Sequence, residues 1–128
     1  LADLFLDTHP YNAHTTAADA LFAGVPVLTF QGNSFPSRVA SSLLHAIGLP
    51  ELITHSLADY YRQALRLVTT PSELAGLKGR LSALRSTSPL FDTSQYCRNL
   101  EAVYIAMWRN YQLGNTHDAL GSAYRTNT

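Results

Sequence analysis

The stretch Leu4-Phe5-Leu6-Asp7-Thr8-His9-Pro10-Tyr11-Asn12-Ala13-His14-Thr15-Thr16-Ala17-Ala18-Asp19-Ala20-Leu21-Phe22-Ala23-Gly24-Val25-Pro26-Val27-Leu28-Thr29-Phe30 decides how this chain folds. Leu4-Phe5-Leu6 is a short apolar run that stops at Asp7-Thr8 and gives way to Pro10-Tyr11-Asn12, the pattern of a buried strand emptying into a loop. Thr16-Ala17-Ala18-Asp19 has the Ser/Thr-x-x-acid form of a helix start. Ala20 to Ala23 continue the helix, and Gly24 followed by Pro26 ends it. Val25 to Phe30 is rich in strand formers, with its proline near the beginning where a strand tolerates one. Two apolar strands joined by a short helical crossover are expected to lie parallel, with a right-handed connection. The fold class is α/β, with two or three short parallel strands followed by helices.

Downstream, Gln31-Gly32-Asn33-Ser34 reads as a turn. Ser37 is placed to cap a helix through Val39, Leu43, Leu44 and Ile47 that stops at Gly48. Leu52-Ile53 is a candidate third strand. Ser56 with Asp59 opens a helix to about Val68, and Thr70-Pro71-Ser72-Glu73 reads as a capping box with proline at the first helical position. The following helix carries Leu74, Leu77, Leu81 and Leu84 on one face. A last helix begins near Asp92 or Thr93 and bears Tyr96, Leu100, Val103, Tyr104, Met107, Trp108 and Tyr111 before Gly114. Residues 1–114 are read as one folded segment and residues 115–128 as a polar, flexible tail. So few strands make little sheet for a doubly wound domain, and further strands are expected upstream of Leu1.

Composition narrows the function. Of the 128 residues, 46% are hydrophobic and 14% charged, which suits a packed core, and nine basic side chains balance nine acidic ones. A formal charge of zero leaves no whole-chain attraction to nucleic acid or to an anionic membrane. Every apolar run is interrupted well short of the roughly 20 residues that span a bilayer. Cys97 is the only cysteine, so no internal disulfide forms, in keeping with a reducing, cytoplasmic compartment. At helical spacing it reads as a small core residue. The five histidines are scattered without a Cys or carboxylate cluster, and no metal site is expected. No Ser-His-Asp arrangement is legible. The chain opens on Leu1 with no basic leader, and its start is read as a processing or expression boundary.

Ligands of open α/β sheets bind outside the carboxyl ends of the strands, where loops enter helices. Asn12 to Thr16 falls there. A helix N-terminus offers unpaired N–H groups and the positive end of its dipole, and the adjacent Thr15 and Thr16 hydroxyls suit phosphate oxygens. His14 could donate a ring N–H to the same phosphates, and Asp19, one turn on, could accept from ribose hydroxyls. Ser37 and Arg38 are further candidates for a phosphate contact. A capping box by itself accounts for Thr16 with Asp19, and an ordinary cap and a surface charge account for Ser37 and Arg38; the residues taken singly leave both readings open.

The string Asp7 to Thr29 closely resembles the most characteristic segment of glycosyltransferase family 41, the protein O-GlcNAc transferase and SPINDLY-like enzymes. The resemblance continues through Ser37-Arg38-Val39-Ala40-Ser41-Ser42-Leu43-Leu44, Gly48-Leu49-Pro50-Glu51-Leu52-Ile53, Ser88-Pro89-Leu90-Phe91-Asp92-Thr93 and the Tyr104–Trp108 helix, and covers nearly everything to about Asn115. It implies a GT-B enzyme with two Rossmann-like lobes, this chain being the C-terminal portion of the donor-binding lobe. It also implies diphosphate contacts at His14, Thr15 and Thr16, a ribose contact at Asp19, and metal-free, inverting transfer of a sugar to Ser or Thr of proteins. UDP-GlcNAc is the first donor implied; GDP-fucose and UDP-glucose are alternatives, the last with transfer to Asn.

The partners implied are a nucleotide sugar and an acceptor protein held through upstream regions, with no cofactor. The family's phosphate-binding Lys, uracil-contacting segment, acceptor groove and TPR helices belong upstream of Leu1. No catalytic residue is therefore expected within the chain, which alone should be inactive. Asn33-Ser34 departs from the family, which commonly has Glu after Gly32. From another class, a noncatalytic helical module descended from a glycosyltransferase would use Thr15, Thr16 and Asp19 merely as caps. The aromatic stripe Tyr104, Trp108 and Tyr111 is read as packing, and as a surface for self-association if its partner lobe is absent.

Overall fold

The computed structural model describes residues 2–114; the tail expected over 115–128 lies outside the described residues. Two compact units divide the chain, one up to Phe91 and one from Asp92. The first contains three strands, β1 (Phe5–Leu6), β2 (Val27–Phe30) and β3 (Ile53–Thr54), and four helices, α1 (Thr15–Phe22), α2 (Val39–Ile47), α3 (Leu57–Thr69) and α4 (Pro71–Arg85). The second contains α5 (Thr93–Gln112).

The sheet is parallel throughout, in the order β1-β2-β3, with Phe5 opposite Val27, Leu6 opposite Leu28, Thr29 opposite Ile53 and Phe30 opposite Thr54. β2 is the central strand, and Val27, Leu28 and Thr29 are fully buried. A central parallel strand is covered on both faces, which is why its sequence is almost continuously apolar rather than alternating. Around it pack Ala17 and Leu21 of α1, Ala40, Leu44 and Ile47 of α2, Leu67 of α3, and Leu77 and Leu81 of α4. Each fully buried leucine contributes about 1.5–3 kcal/mol. Leu74 and Leu84 are half-buried on the same face of α4.

The helix ends show where local chemistry prevailed. α1 closes at Gly24, whose φ of 83° lets its N–H reach Leu21 O at 3.1 Å while Val25 N–H reaches Ala20 O at 2.8 Å. This is a Schellman closure, and it reverses the chain into β2. Ser56 caps α3 by accepting from Asp59 N–H at 3.0 Å, and Asp92 caps α5 by accepting from Gln95 N–H at 2.8 Å.

Three expected caps do not form. α1 starts two residues earlier than a Thr16 cap requires, at Thr15; its N-cap is His14, with no side-chain capping bond, and Thr16 lies within the first turn. Ser37 sits in a 3-10 turn over Phe35–Ser37, and Arg38 takes the N-cap position of α2. Thr70 is the N-cap of α4, but its ψ of 78° is far from extended and its hydroxyl makes no capping bond. Glu73 instead pairs with Arg66 at 3.1 Å.

One expectation about α5 is overturned: Cys97 is exposed rather than a core residue. Tyr104, Trp108 and Tyr111 are exposed as well, with the Trp108 and Tyr111 rings stacked on each other at 5.7 Å. The stripe is not packed within the described residues, the condition under which a self-association surface is expected.

Candidate functional site

β1 and β2 end side by side, and each opens at its carboxyl end into a loop, residues 7–14 after β1 and residues 31–38 after β2. The loops are joined to each other. Asn12 N–H donates to Pro36 O at 3.0 Å, the His9 ring stacks on Phe30 at 4.3 Å, and the His14 ring meets Phe35 edge-on at 6.5 Å. Gly32 is required at the crossing. A Cβ there would lie 2.5 Å from Ser37 Oγ, 2.8 Å from Ser37 Cβ and 3.2 Å from His9 Cε1.

The centre of the first loop is Asp7, a residue that sequence reasoning treated only as the end of a strand. It is 6% exposed. Its Oδ1 accepts from Thr8 N–H at 2.9 Å and from Ala13 N–H at 2.7 Å, and its Oδ2 accepts from the Thr29 hydroxyl at 2.6 Å. Its backbone N–H donates to Leu28 O at 3.0 Å, and its carbonyl accepts from the Tyr60 hydroxyl at 2.8 Å. Burial, and next the Asp7 charge, hold the Tyr60 phenol above its ordinary pKa. The signal for Asp7 in the sequence was an acid directly after an apolar strand and before a loop, a pattern shared by many surface turns.

On this base stands the start of α1. Thr15, Thr16 and Asp19 are all exposed, and none has a side-chain hydrogen bond or ion pair among the described residues. The first N–H groups of the helix lack intrahelical acceptors, and their dipoles amount to about half a positive charge at this end. The place where an anion would bind therefore offers donors that the fold does not use. His14 is half-buried, its ring stacked on Tyr11 at 4.9 Å, and its Nε2 is buried with no hydrogen-bond partner among the described residues. Asn12, 1% exposed, donates from Nδ2 to Thr8 O at 2.9 Å, while its Oδ1 has no partner among the described residues. Sequence reasoning gave Asn12 no separate role, because nothing in a Tyr-Asn-Ala string marks burial.

The second loop treats its two candidates differently. Ser37 is 1% exposed and its hydroxyl is spent locally, accepting from Ser34 N–H at 3.0 Å and donating to Ser34 O at 2.8 Å. Arg38 is exposed at the start of α2, and its guanidinium makes no ion pair among the described residues. No group of three or more His, Cys, Asp or Glu that could hold a metal ion occurs among the described residues, and no described helix is long and apolar enough to cross a membrane.

A parallel sheet whose strands run at their carboxyl ends into helix starts defines a Rossmann-like lobe of the GT-B type. The family profile described as Glycosyl transferase family 41 matches residues 1–100, and the chain belongs to that family. It is 41% identical over 89% of its length to a UDP-N-acetylglucosamine–peptide N-acetylglucosaminyltransferase of Caenorhabditis elegans, and 44% identical over 84% to the probable enzyme SEC of Arabidopsis thaliana. A tomato SPINDLY relative is 38% identical over 87%. The chain spans only 10–12% of the length of these relatives. Among solved structures, a mutant of the Thermobaculum terrenum O-GlcNAc transferase superposes with a TM-score of 0.78 at 36% identity, over 84% of this chain and 21% of that one.

Proposed function

We propose that this chain forms the diphosphate- and ribose-binding side of the donor site in an inverting protein O-glycosyltransferase, one that transfers GlcNAc from UDP-GlcNAc to Ser or Thr of proteins. The observation that carries the reading is the start of α1, where Thr15 and Thr16 are exposed, make no capping bond and have no side-chain partner among the described residues, at the carboxyl end of a parallel sheet. In this reading the two hydroxyls and the first N–H groups of α1 hold the diphosphate, His14 flanks it, and Asp19 accepts from ribose hydroxyls. Arg38 adds a cation from the start of α2, whereas Ser37 contributes by shaping the loop, its hydroxyl being used on Ser34. As the glycosidic bond breaks, negative charge grows on the departing diphosphate, and donors already aimed there stabilise it without reorganising. The activities for which the relatives are named and the family membership support this donor class. The chain's small share of those relatives' length supports placing the catalytic base and the acceptor-binding groups on other segments of a longer enzyme.

The test is an amide NMR titration of the chain with UDP and, separately, GDP. Saturable shifts centred on His14 to Asp19, larger for UDP, are expected. Shifts elsewhere only, or none up to millimolar nucleotide, refute the site and favour a noncatalytic helical module.

A further inference from the structure

The Asp7 carboxylate is a negative charge buried immediately behind a site read as binding an anion. Among the described residues no cation pairs with it; its three partners are two backbone N–H groups and a hydroxyl, all neutral. By charge alone it opposes a diphosphate at the start of α1, since two negative charges repel most strongly where water is excluded. Its geometry works the other way. Oδ1 bridges Thr8 N–H and Ala13 N–H, closing the loop from β1 to α1 on a single oxygen, and Oδ2 ties that oxygen's position to Thr29 of the central strand. Ala13 immediately precedes His14 and Thr15. The point from which α1 begins is thereby referred to β2, the most deeply buried strand, rather than to a solvated loop.

We propose that Asp7 is a positioning residue of the donor site, setting the place of the His14-Thr15-Thr16 helix start through its bond to Ala13 N–H, and that its position rather than its charge is what nucleotide binding requires. The role rests on the reading of that helix start as the diphosphate site. Misplacing a reacting group by an ångström can cost about a hundredfold in rate, and the hydrogen bonds that hold a diphosphate weaken in the same way when their donors move. Moving this one oxygen should therefore act on affinity and not only on stability.

Two substitutions separate position from charge. Asp7→Asn keeps an oxygen where Oδ1 lies and removes the charge, its amide donating to Thr29 Oγ1 in place of the present bond. Asp7→Glu keeps the charge and displaces the oxygen by a methylene. The probe is UDP, titrated against amide shifts at Thr15 and Thr16 in the whole chain. Thr54→Val serves as a control for lost stability, because it removes a buried hydroxyl bond to Thr29 O at the opposite edge of the sheet. Dissociation constants are compared only among variants whose spectra show a folded chain. Asp7→Asn should bind UDP within about threefold of the parent chain, and Asp7→Glu about tenfold or more weakly, while Thr54→Val binds as the parent does. Equal affinity for all four chains, or a weak Asn variant beside an unimpaired Glu variant, overturns the positioning role. A parent chain that does not bind UDP at Thr15 and Thr16 removes the underlying donor-site reading instead. Should the Glu variant not fold, Asp7→Ala, which deletes the oxygen altogether, carries the same expectation of weakened binding and the same refutation.

Discussion

Replacing Thr16 by alanine separates a helix cap from a ligand site, because the two roles change different quantities. Were Thr16 the cap of α1, the substitution would cost about 0.5–2 kcal/mol of stability. In the structure the N-cap is His14, no side chain caps the helix, and Thr16 is exposed inside the first turn. Alanine is the better helix former there by a few tenths of a kcal/mol. Thr16→Ala should thus leave unfolding free energy unchanged within about 0.5 kcal/mol, or raise it slightly. Ser56→Ala is the internal standard: its hydroxyl does accept from Asp59 N–H at 3.0 Å, and its loss should cost about 1 kcal/mol. A hydrogen bond to a charged oxygen is worth about 1.5–3 kcal/mol, so Thr16→Ala should weaken UDP binding by about ten- to a hundredfold. Urea unfolding measures the first quantity, and titration calorimetry or amide shifts the second. A Thr16→Ala chain that loses about 1 kcal/mol of stability and binds UDP as before would refute the argument and restore the capping box.

Other expectations follow from the same geometry. Gly32→Ala should destabilise the chain by about 1–3 kcal/mol, since its Cβ would sit 2.5 Å from Ser37 Oγ; urea midpoints measure this, and an unchanged midpoint would show that the loops can separate freely. Leu21→Ala removes a fully buried side chain between α1 and the sheet and should cost about 2–5 kcal/mol, read by thermal unfolding. Tyr60 binds its proton more tightly folded than unfolded, because burial and then the Asp7 charge raise its pKa. Its contribution is complete below the unfolded tyrosine value of about 10 and is lost as pH rises through the folded value. Tyr60→Phe should flatten that alkaline decline, and an unchanged decline in urea unfolding above that pH would refute the assignment. Lys78, bonded to Asp3 at 2.8 Å, holds the Asp3 carboxyl below its ordinary pKa. Both groups are solvated, so added salt should return the Asp3 titration toward normal, as carboxyl NMR would show.

The strands and helices were legible wherever a local rule coincided with burial. Val25 to Phe30 reads as a run of strand formers, and β2 spans Val27–Phe30 with Val27, Leu28 and Thr29 buried. Gly24 and Gly48 read as helix stops and adopt positive φ at 83° and 84°. The family itself was legible from Asp7 to Thr29, because a long ordered string carries far more information than any single cap. Capping was where reading failed. Thr16, Ser37 and Thr70 each match a capping pattern, yet each hydroxyl is set by how the preceding chain arrives, and that path is fixed by contacts distant in sequence.

What the sequence by itself determined was a set of local choices: which residues prefer strand or helix, where glycine permits a reversal, and that Thr15 and Thr16 begin a helix after an apolar strand. Those follow from backbone sterics and side-chain periodicity, which act over a few residues. Only the tertiary structure decided that Asp7 becomes the hub of the loop, because its bond to Thr29 spans 22 residues and the bond from Tyr60 to its carbonyl spans 53. Only the tertiary structure buried Asn12 and the His14 Nε2, occupied Ser37 with Ser34, and left Thr15, Thr16 and Arg38 without a side-chain partner among the described residues. Whether a polar group is used by the fold or is free for a ligand depends on which partners packing brings within about 3 Å, and packing is a property of the assembled chain.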